Sequence, residues 1–354
     1  MPTSLSLSAR RYHAPMPSSI FSLLKDSISR DAVARTAKDH EGRFDPGGDE
    51  DPRESGYHDL VTDYYKLVTD FYEYGWGKSF HFAPRHTNES FKASLARHQH
   101  FIAHKLDLQP GMRVADLGCG VGGPMREIIS FSGANVVGIN ISAYQLELAR
   151  KYTDEAGLGH MAEFLECDFN DVDEPDGSFD AVFAIETTIH APDLARVFSE
   201  ARRLLSPGGC FATYEWCLTD RFDVNDPYHV QIKNDIELGT GTQDLRYKHE
   251  VDAAFGDAGF ELLETRDLDE QTTPGIPWYQ PLVGSGVSLS RFRSSSVGRQ
   301  ATYRSLRALE AIKVVPSGAS EVARLLNIGA KALAEGGRLK IFTPMYFALA
   351  RNPA

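Results

Sequence analysis

One stretch constrains what this chain can fold into more than any other: Val114-Ala115-Asp116-Leu117-Gly118-Cys119-Gly120-Val121-Gly122-Gly123-Pro124. An apolar strand ends, the chain turns sharply, and a helix opens at Pro124. Such a turn needs residues without Cβ where the backbone must approach a ligand. The glycine pattern alone does not choose the ligand, because it also occurs in dinucleotide folds and in ordinary turns. Asp116, two positions before the first glycine, makes the choice. It would repel a pyrophosphate and attract a ligand that ends in an ammonium. S-adenosylmethionine, with an amino acid end and no phosphate, meets that demand.

Around this turn the pattern alternates. Residues 113–117, 135–139, 162–165, 180–185 and 210–215 read as strands, with helices at 124–131, 143–155 and 193–205 and a turn at Pro207-Gly208-Gly209. Further strands are expected at 261–265 and 339–350. This spacing implies a parallel sheet covered on both faces. The fold class expected is α/β: a doubly wound, Rossmann-like sheet of the class I methyltransferase kind, with an antiparallel last strand and a helical cap and insert. Ligands of such sheets bind just past the carboxyl ends of the strands. The candidate cofactor-binding residues are therefore Asp116, Gly118, Cys119, Gly120 and Gly122, then Asn140 and Gln145 after the second strand, then Cys167, Asp168 and Phe169 after the third. Asn140 suits the ribose hydroxyls, or it caps the next turn. Asp168 suits the adenine amine, with Cys167 or Phe169 behind the ring, or it is a turn cap.

Bulk properties narrow the rest. A net charge of -12 over 354 residues argues against nucleic acid as a partner. Cys119, Cys167, Cys210 and Cys217 form no CxxC pair and read as reduced thiols, so no metal site is expected. His98, His100 and His104 have helix-face spacing without a convincing third ligand and read as surface or packing residues. No apolar run reaches the roughly 18 to 20 residues of a membrane span, and no secretory leader is visible.

Residues 1–55 read as a loosely ordered tail, in which Ile20-Phe21-Ser22-Leu23-Leu24 either docks or stays solvated and Asp45 to Pro52 is an acidic linker. Residues 56–270 are expected to form the methyltransferase core with N-terminal aromatic cap helices, 271–335 an insert, and 336–354 the last strand completing the core sheet. The insert reverses the chain's sign. It has no Asp or Glu before Glu310, yet carries Arg291, Arg293, Arg299, Arg304 and Arg307. Anionic lipid headgroups, an acidic face of another subunit, or plain solvent would suit it.

Upstream of the sheet, residues 57–106 read as helical and unusually aromatic, with Tyr64-Tyr65, Phe71-Tyr72-Glu73-Tyr74-Gly75-Trp76-Gly77 and Phe80-His81-Phe82. These π faces suit an apolar substrate or a cationic intermediate, at roughly 0.5 to 2 kcal/mol per cation–ring contact. The core of a capping helix would use the same residues. The run Tyr72 to Gly77, with Ser79-Phe80-His81-Phe82 and Glu89-Ser90-Phe91, resembles the sterol-binding signature of the sterol 24-C-methyltransferases. The resemblance continues in order through the glycine loop, Ala184-Ile185-Glu186, His190-Ala191-Pro192, Tyr214-Glu215-Trp216, Ile236-Glu237-Leu238-Gly239, Ile276-Pro277-Trp278-Tyr279 and Phe342-Thr343-Pro344-Met345.

That resemblance implies methyl transfer from S-adenosylmethionine to C24 of a Δ24-sterol. The alkene is the nucleophile, so attack needs in-line placement rather than a base. A C25 cation, a 1,2-hydride shift and proton loss would then give a 24-methylene sterol. Tyr72, Tyr74 and Trp76 would stabilise the cation. His190 and Glu215, followed by Glu186 and Glu73, are the candidates for positioning or for taking the proton. Glu73 or Glu186 would alternatively hold the substrate's 3-hydroxyl, and Glu186 counts among the cofactor-binding candidates as well. The family further implies a homo-oligomer and peripheral attachment at the endoplasmic reticulum or lipid droplets. Thr187-Thr188-Ile189, the run Gly284 to Ser290 and the run Gly241 to Arg246 depart from the family pattern. All three are expected near the acceptor chamber, which leaves another sterol, a triterpene or a terpenoid as the alternative acceptor.

Overall fold

The alternation seen in the sequence becomes a single eight-stranded sheet. The computed structural model describes residues 32–44, 56–270, 275–284 and 295–353. The Ile20 to Leu24 patch, the acidic linker, Arg291, Arg293 and the run from Ser285 to Ser290 lie outside the described residues. Strands β1 (Arg113–Leu117), β2 (Asn135–Asn140), β3 (Ala162–Glu166), β4 (Phe179–Ile185) and β5 (Leu205–Leu218) are parallel. With β6 (Arg246–Tyr247), β7 (Glu261–Asp267) and β8 (Phe342–Arg351) the order is β3-β2-β1-β4-β5-β8-β7, and β6 pairs with β5. β8 runs antiparallel between β5 and β7. The order reverses between β1 and β4, which opens a crevice at their carboxyl ends.

Alternating side chains on the strands feed both faces. Val114 of β1 packs with Ile102 of α3 (Phe91–Lys105) and Met125 of α4 (Gly123–Ser132). Ala115 and Leu117 join the opposite cluster, with Phe198 of α6 (Leu194–Leu204) and Phe255 of α8 (Lys248–Asp257). Ser142 caps α5 (Ala143–Glu155) and Asp193 caps α6, each accepting a backbone N–H three residues on.

Above the carboxyl ends sits a helical cap: α1 (Val33–Gly42), α2 (Tyr57–Gly75), α7 (Pro227–Thr240), the single turn α9 (Gln280–Val283), α10 (Ser296–Ala311) and α11 (Ala319–Leu339). Residues 33–42 correct the expectation of a loosely ordered tail over 1–55. Val33 and Ala37, one turn apart, are buried against Tyr64, Leu67 and Val322, partners that lie far along the chain. α7 and α11 cross so closely that a Cβ on Gly239 would lie 2.3 Å from the Gly329 nitrogen.

Two expected boundaries also move. β5 begins at Leu205, and Pro207-Gly208-Gly209 is absorbed as an irregularity in its pairing with β4. β8 begins at Phe342 because α11 runs through position 335 to Leu339 and ends on left-handed Lys340.

Candidate active site

The loop after β1 is tightly wound. Gly118, Gly120 and Gly122 have φ of +78°, +54° and +71°, and Gly118 N and Cys119 N both donate to the Ile139 carbonyl (2.8 and 3.0 Å). A Cβ on Gly118 would lie 1.8 Å from Thr187 Oγ1, and one on Gly123 1.9 Å from the Lys78 carbonyl oxygen. A Cβ on Gly120 would meet nothing within 4 Å, and that backbone lines a cleft of about 730 Å³ counting its open mouth.

Of the residues expected to bind a cofactor, Gly118, Cys119, Gly120, Asn140, Gln145, Asp168, Phe169 and Glu186 line the cleft. Asn140 Nδ2 donates to Gln145 Oε1 (2.9 Å), and Gln145 Nε2 donates to Thr69 Oγ1 (3.1 Å), which ties the end of β2 to α2. Asp168 Oδ1 accepts from Asn170 N (2.8 Å) and Nδ2 (2.9 Å), while its Oδ2 accepts from the Tyr57 hydroxyl.

Three candidates do not line the cleft. Asp116 lies buried, with no hydrogen-bond partner for Oδ2 among the described residues, and burial pushes its pKa well up. Gly122 is instead the left-handed N-cap of α4. Cys167 packs against the core cluster of α6 and α8.

A second cavity, about 1140 Å³ counting its open mouth, is largely apolar and receives Tyr72, Tyr74 and Trp76 from the end of α2 and just beyond it. Tyr65, Phe80, His81, Glu186 and His190 line both cavities. Glu186 sits at the end of β4 with φ +54°, a conformation that costs a non-glycine residue about 1 kcal/mol or more. Its Oε1 accepts from Phe82 N (2.7 Å) and its Oε2 from Trp216 Nε1 (2.7 Å). Burial nonetheless raises its pKa well above the carboxylate range. His190 Nδ1 bonds to the Gly241 carbonyl (3.0 Å) and Nε2 to the Tyr65 hydroxyl (2.9 Å). A carbonyl only accepts, so Nδ1 carries the proton and Tyr65 donates to Nε2. Burial lowers the His190 pKa to about 4, which leaves the ring neutral.

The other two proposed acid–base residues lie elsewhere. Glu73 faces α5 and accepts from the Tyr152 hydroxyl (3.1 Å). Glu215 Oε1 accepts from the hydroxyls of Thr188 and Thr213, in a small separate pocket with Arg246. Its neighbour Trp216 lines both this pocket and the chamber, whereas Glu215 does not line the chamber. The departures from the family pattern divide likewise. Thr187 lies over Gly118 on the cleft side, Thr188 faces Glu215, and Ile189 lines the chamber. Of the insert's arginines, Arg299 turns into the chamber while Arg304 and Arg307 are exposed. His98 is buried and stacks on Tyr214 with ring centroids 3.7 Å apart, and His100 stacks on Phe131.

Tyr57 was not singled out from the sequence, and Tyr65 was read only as one of the aromatic faces, not as a partner of His190. The signal was present: Tyr57, Val61 and Tyr65 recur every four residues, and all three line the cleft.

Comparison with known proteins gives the family and the fold. Residues 115–213 match the family described as methyltransferase domain, and residues 289–354 the one described as sterol methyltransferase C-terminal. The chain is 45% identical to cycloartenol-C-24-methyltransferase 1 of Oryza sativa subsp. japonica, over 93% of this chain and 96% of that protein. It is 42% identical to a sterol 24-C-methyltransferase of Saccharomyces cerevisiae, over 93% and 87% of the two chains. A cyclopropane synthase structure from Mycobacterium tuberculosis superposes with a TM-score of 0.63 at 20% identity, covering 83% of this chain and 98% of that one. A geranyl diphosphate C-methyltransferase from Streptomyces coelicolor A3(2) gives 0.59 at 18% identity, covering 84% and 98%.

Proposed function

The chain belongs to the sterol 24-C-methyltransferase family, and from that premise we propose that it methylates C24 of a Δ24-sterol through a side-chain carbocation and releases a 24-methylene sterol. The observation that carries this reading is the set of residues common to the glycine-loop cleft and the apolar chamber.

The cleft fits S-adenosylmethionine through open backbone at Gly120 and polar groups at the ends of β2 and β3, while Asp116, outside the cleft lining, keeps a carboxylate oxygen without a partner among the described residues at the end of β1. When bound there, the cofactor supplies an electrophilic methyl on a sulfonium. The chain's own residues do the rest. Gly118 and Gly120 let the backbone approach the ligand, and Asn140, Gln145 and Asp168 offer hydrogen bonds to its sugar and base. Phe80 and Trp76 help to exclude the water that would capture a cation. Tyr72, Tyr74 and Trp76 line the chamber, where their rings would stabilise the cation. Burial raises the pKa of Glu186 and a neighbouring cation lowers it, so its charge follows the chamber's contents.

Hydride migration from C24 to C25 moves the positive charge to C24. A C–H bond of the new methyl then breaks, and its electrons form the 24-methylene double bond. The proton goes to the Tyr65 oxygen as the Tyr65 hydroxyl proton passes to His190 Nε2. His190 becomes an imidazolium held at Nδ1 by the Gly241 carbonyl.

Incubation with methyl-labelled S-adenosylmethionine and a panel of Δ24-sterols and triterpenes, read by mass spectrometry, tests the reading. Label in a Δ24-sterol supports it, and absence of label from every one overturns it.

The same reading carries two further expectations, a homo-oligomer and peripheral attachment at the endoplasmic reticulum or lipid droplets. Among the described residues no helix is long and apolar enough to cross a membrane, while Val297, Arg304 and Arg307 lie exposed on α10. Gel filtration and liposome flotation check them; a monomer, or protein that never floats, would contradict the respective expectation.

A further inference from the structure

The chamber has a second polar place, on the wall built by α10 and α11, which the proposed chemistry leaves unused. Arg299 and Thr302, one turn apart on α10, face the chamber together with Asn327 of α11, and none of the three lines the cofactor cleft. α11 otherwise contributes Ala323, Leu326, Ala330 and Leu333, so Asn327 is the polar member of an apolar stripe at helical spacing. Such a group lowers stability unless it is hydrogen-bonded.

Arg299 supplies that bond. Its Nε donates to Asn327 Oδ1 (2.8 Å), and its Nη1 donates to the Leu282 carbonyl (2.5 Å). A guanidinium has donors only, so the amide can sit one way: Oδ1 toward Arg299 and the Nδ2 donor away from it. Burial draws the Arg299 pKa down to about 10, as expected of a cation facing an apolar space. Other polar groups of the chamber away from the cleft are engaged within the protein. Tyr72 bonds Tyr64 (2.5 Å), Thr240 donates to the Ile236 carbonyl (2.7 Å), Thr242 bonds Thr240 (3.2 Å), and Trp76 Nε1 donates to the His81 carbonyl (3.2 Å).

A sterol is apolar along its length and carries one hydroxyl, on the ring at the end remote from C24. With C24 at Tyr65, Glu186 and His190, that hydroxyl belongs at a wall the cleft does not share. We propose that Asn327, oriented by Arg299 and flanked by Thr302, binds the ring hydroxyl of the acceptor, with Asn327 Nδ2 donating to it. Arg299 is then a positioning residue, and Glu73 and Glu186 are released from this role. The assignment rests on the acceptor being a Δ24-sterol.

The test compares acceptors that differ only at C3, bearing a hydroxyl, a hydrogen or a methyl ether, in steady-state methyl transfer by the full chain. For the wild type, KM for the 3-deoxy sterol should exceed that for the 3-hydroxy sterol about tenfold. Asn327→Leu should raise KM for the 3-hydroxy sterol to the 3-deoxy level, leave the 3-deoxy KM where it was, and keep kcat. Arg299→Met should do the same, while Arg299→Lys, which retains a donor for Oδ1, should recover most of the discrimination. An Asn327→Leu enzyme that still discriminates as the wild type does overturns the proposal. So does a wild type indifferent to the group at C3, a result that needs no variant to fold. Failure to methylate any Δ24-sterol is a separate outcome: it overturns the acceptor assignment and this subsite with it.

Discussion

The Tyr65 hydroxyl donates to His190 Nε2 across 2.9 Å, with the two rings packed edge to face, at the boundary between the cofactor cleft and the apolar chamber. Because the Gly241 carbonyl holds the proton on Nδ1, the lone pair at Nε2 faces the phenol. Tyr65→Phe removes the proton carrier and keeps the ring. Turnover should fall about a hundredfold in single-turnover assays, while cofactor affinity stays within about twofold. The relay works only with neutral His190, whose pKa of about 4 makes kcat level through neutrality and lost as pH falls through that value. Equal losses of turnover and cofactor binding would make Tyr65 a structural residue.

Tyr74 separates the π face from the hydroxyl. If its ring stabilises the cation, Tyr74→Phe should keep turnover within about threefold. Tyr74→Leu should lower it roughly three- to thirtyfold, the range expected of a desolvated cation–ring contact. Calorimetry with S-adenosylmethionine should find both variants close to the wild type. A phenylalanine variant as slow as the leucine variant would contradict the cation role.

Glu215, outside the chamber, should show itself in stability. Burial raises its pKa from 4.5 to about 7, against the hydrogen bonds from Thr188 and Thr213. A raised folded-state pKa favours the protonated form. The stabilisation is therefore complete below pH 4.5 and lost as pH rises through about 7. Glu215→Gln cannot lose it. The variant's melting temperature should gain on the wild type between pH 5 and pH 8, by the equivalent of up to about 3 kcal/mol. Parallel melting curves across that range would count against this environment for Glu215.

Asp116 should show opposite signs in two measurements. With Oδ2 unpartnered and the carboxyl desolvated, Asp116→Asn should leave the cofactor-free protein as stable or more stable in thermal unfolding. The same change should weaken S-adenosylmethionine about tenfold or more by calorimetry, because the carboxylate that offsets the ammonium is gone. Unchanged affinity would remove Asp116 from the cofactor site.

What the sequence disclosed, and what it withheld, follows the range of the interactions. The glycine loop was legible because its determinants are local: a strand, four glycines in six residues, and a proline at the helix start. The residues at the ends of β2 and β3 followed from the same logic, since parallel strands deliver their carboxyl ends to one edge. Glu215 was misplaced because which of two neighbours on a strand faces the ligand depends on how β5 pairs with β8, and that pairing slips between Glu215 and Cys217. α1 escaped notice because Val33 and Ala37 are buried by residues of α2 and α11, the latter nearly 300 positions away. Tyr65, read from the sequence only as an aromatic face, became a candidate for proton transfer once α2 was docked over both cavities, although the four-residue spacing of Tyr57, Val61 and Tyr65 was there to be read.

The most direct measurement of C24 methylation through a cation uses S-adenosylmethionine bearing a trideuterated methyl with a Δ24-sterol, and counts deuterium in the isolated product. Methyl addition followed by proton loss from the new carbon predicts a 24-methylene sterol carrying two deuterium atoms. Retention of all three deuteriums, or their absence from every Δ24-sterol offered, would contradict it.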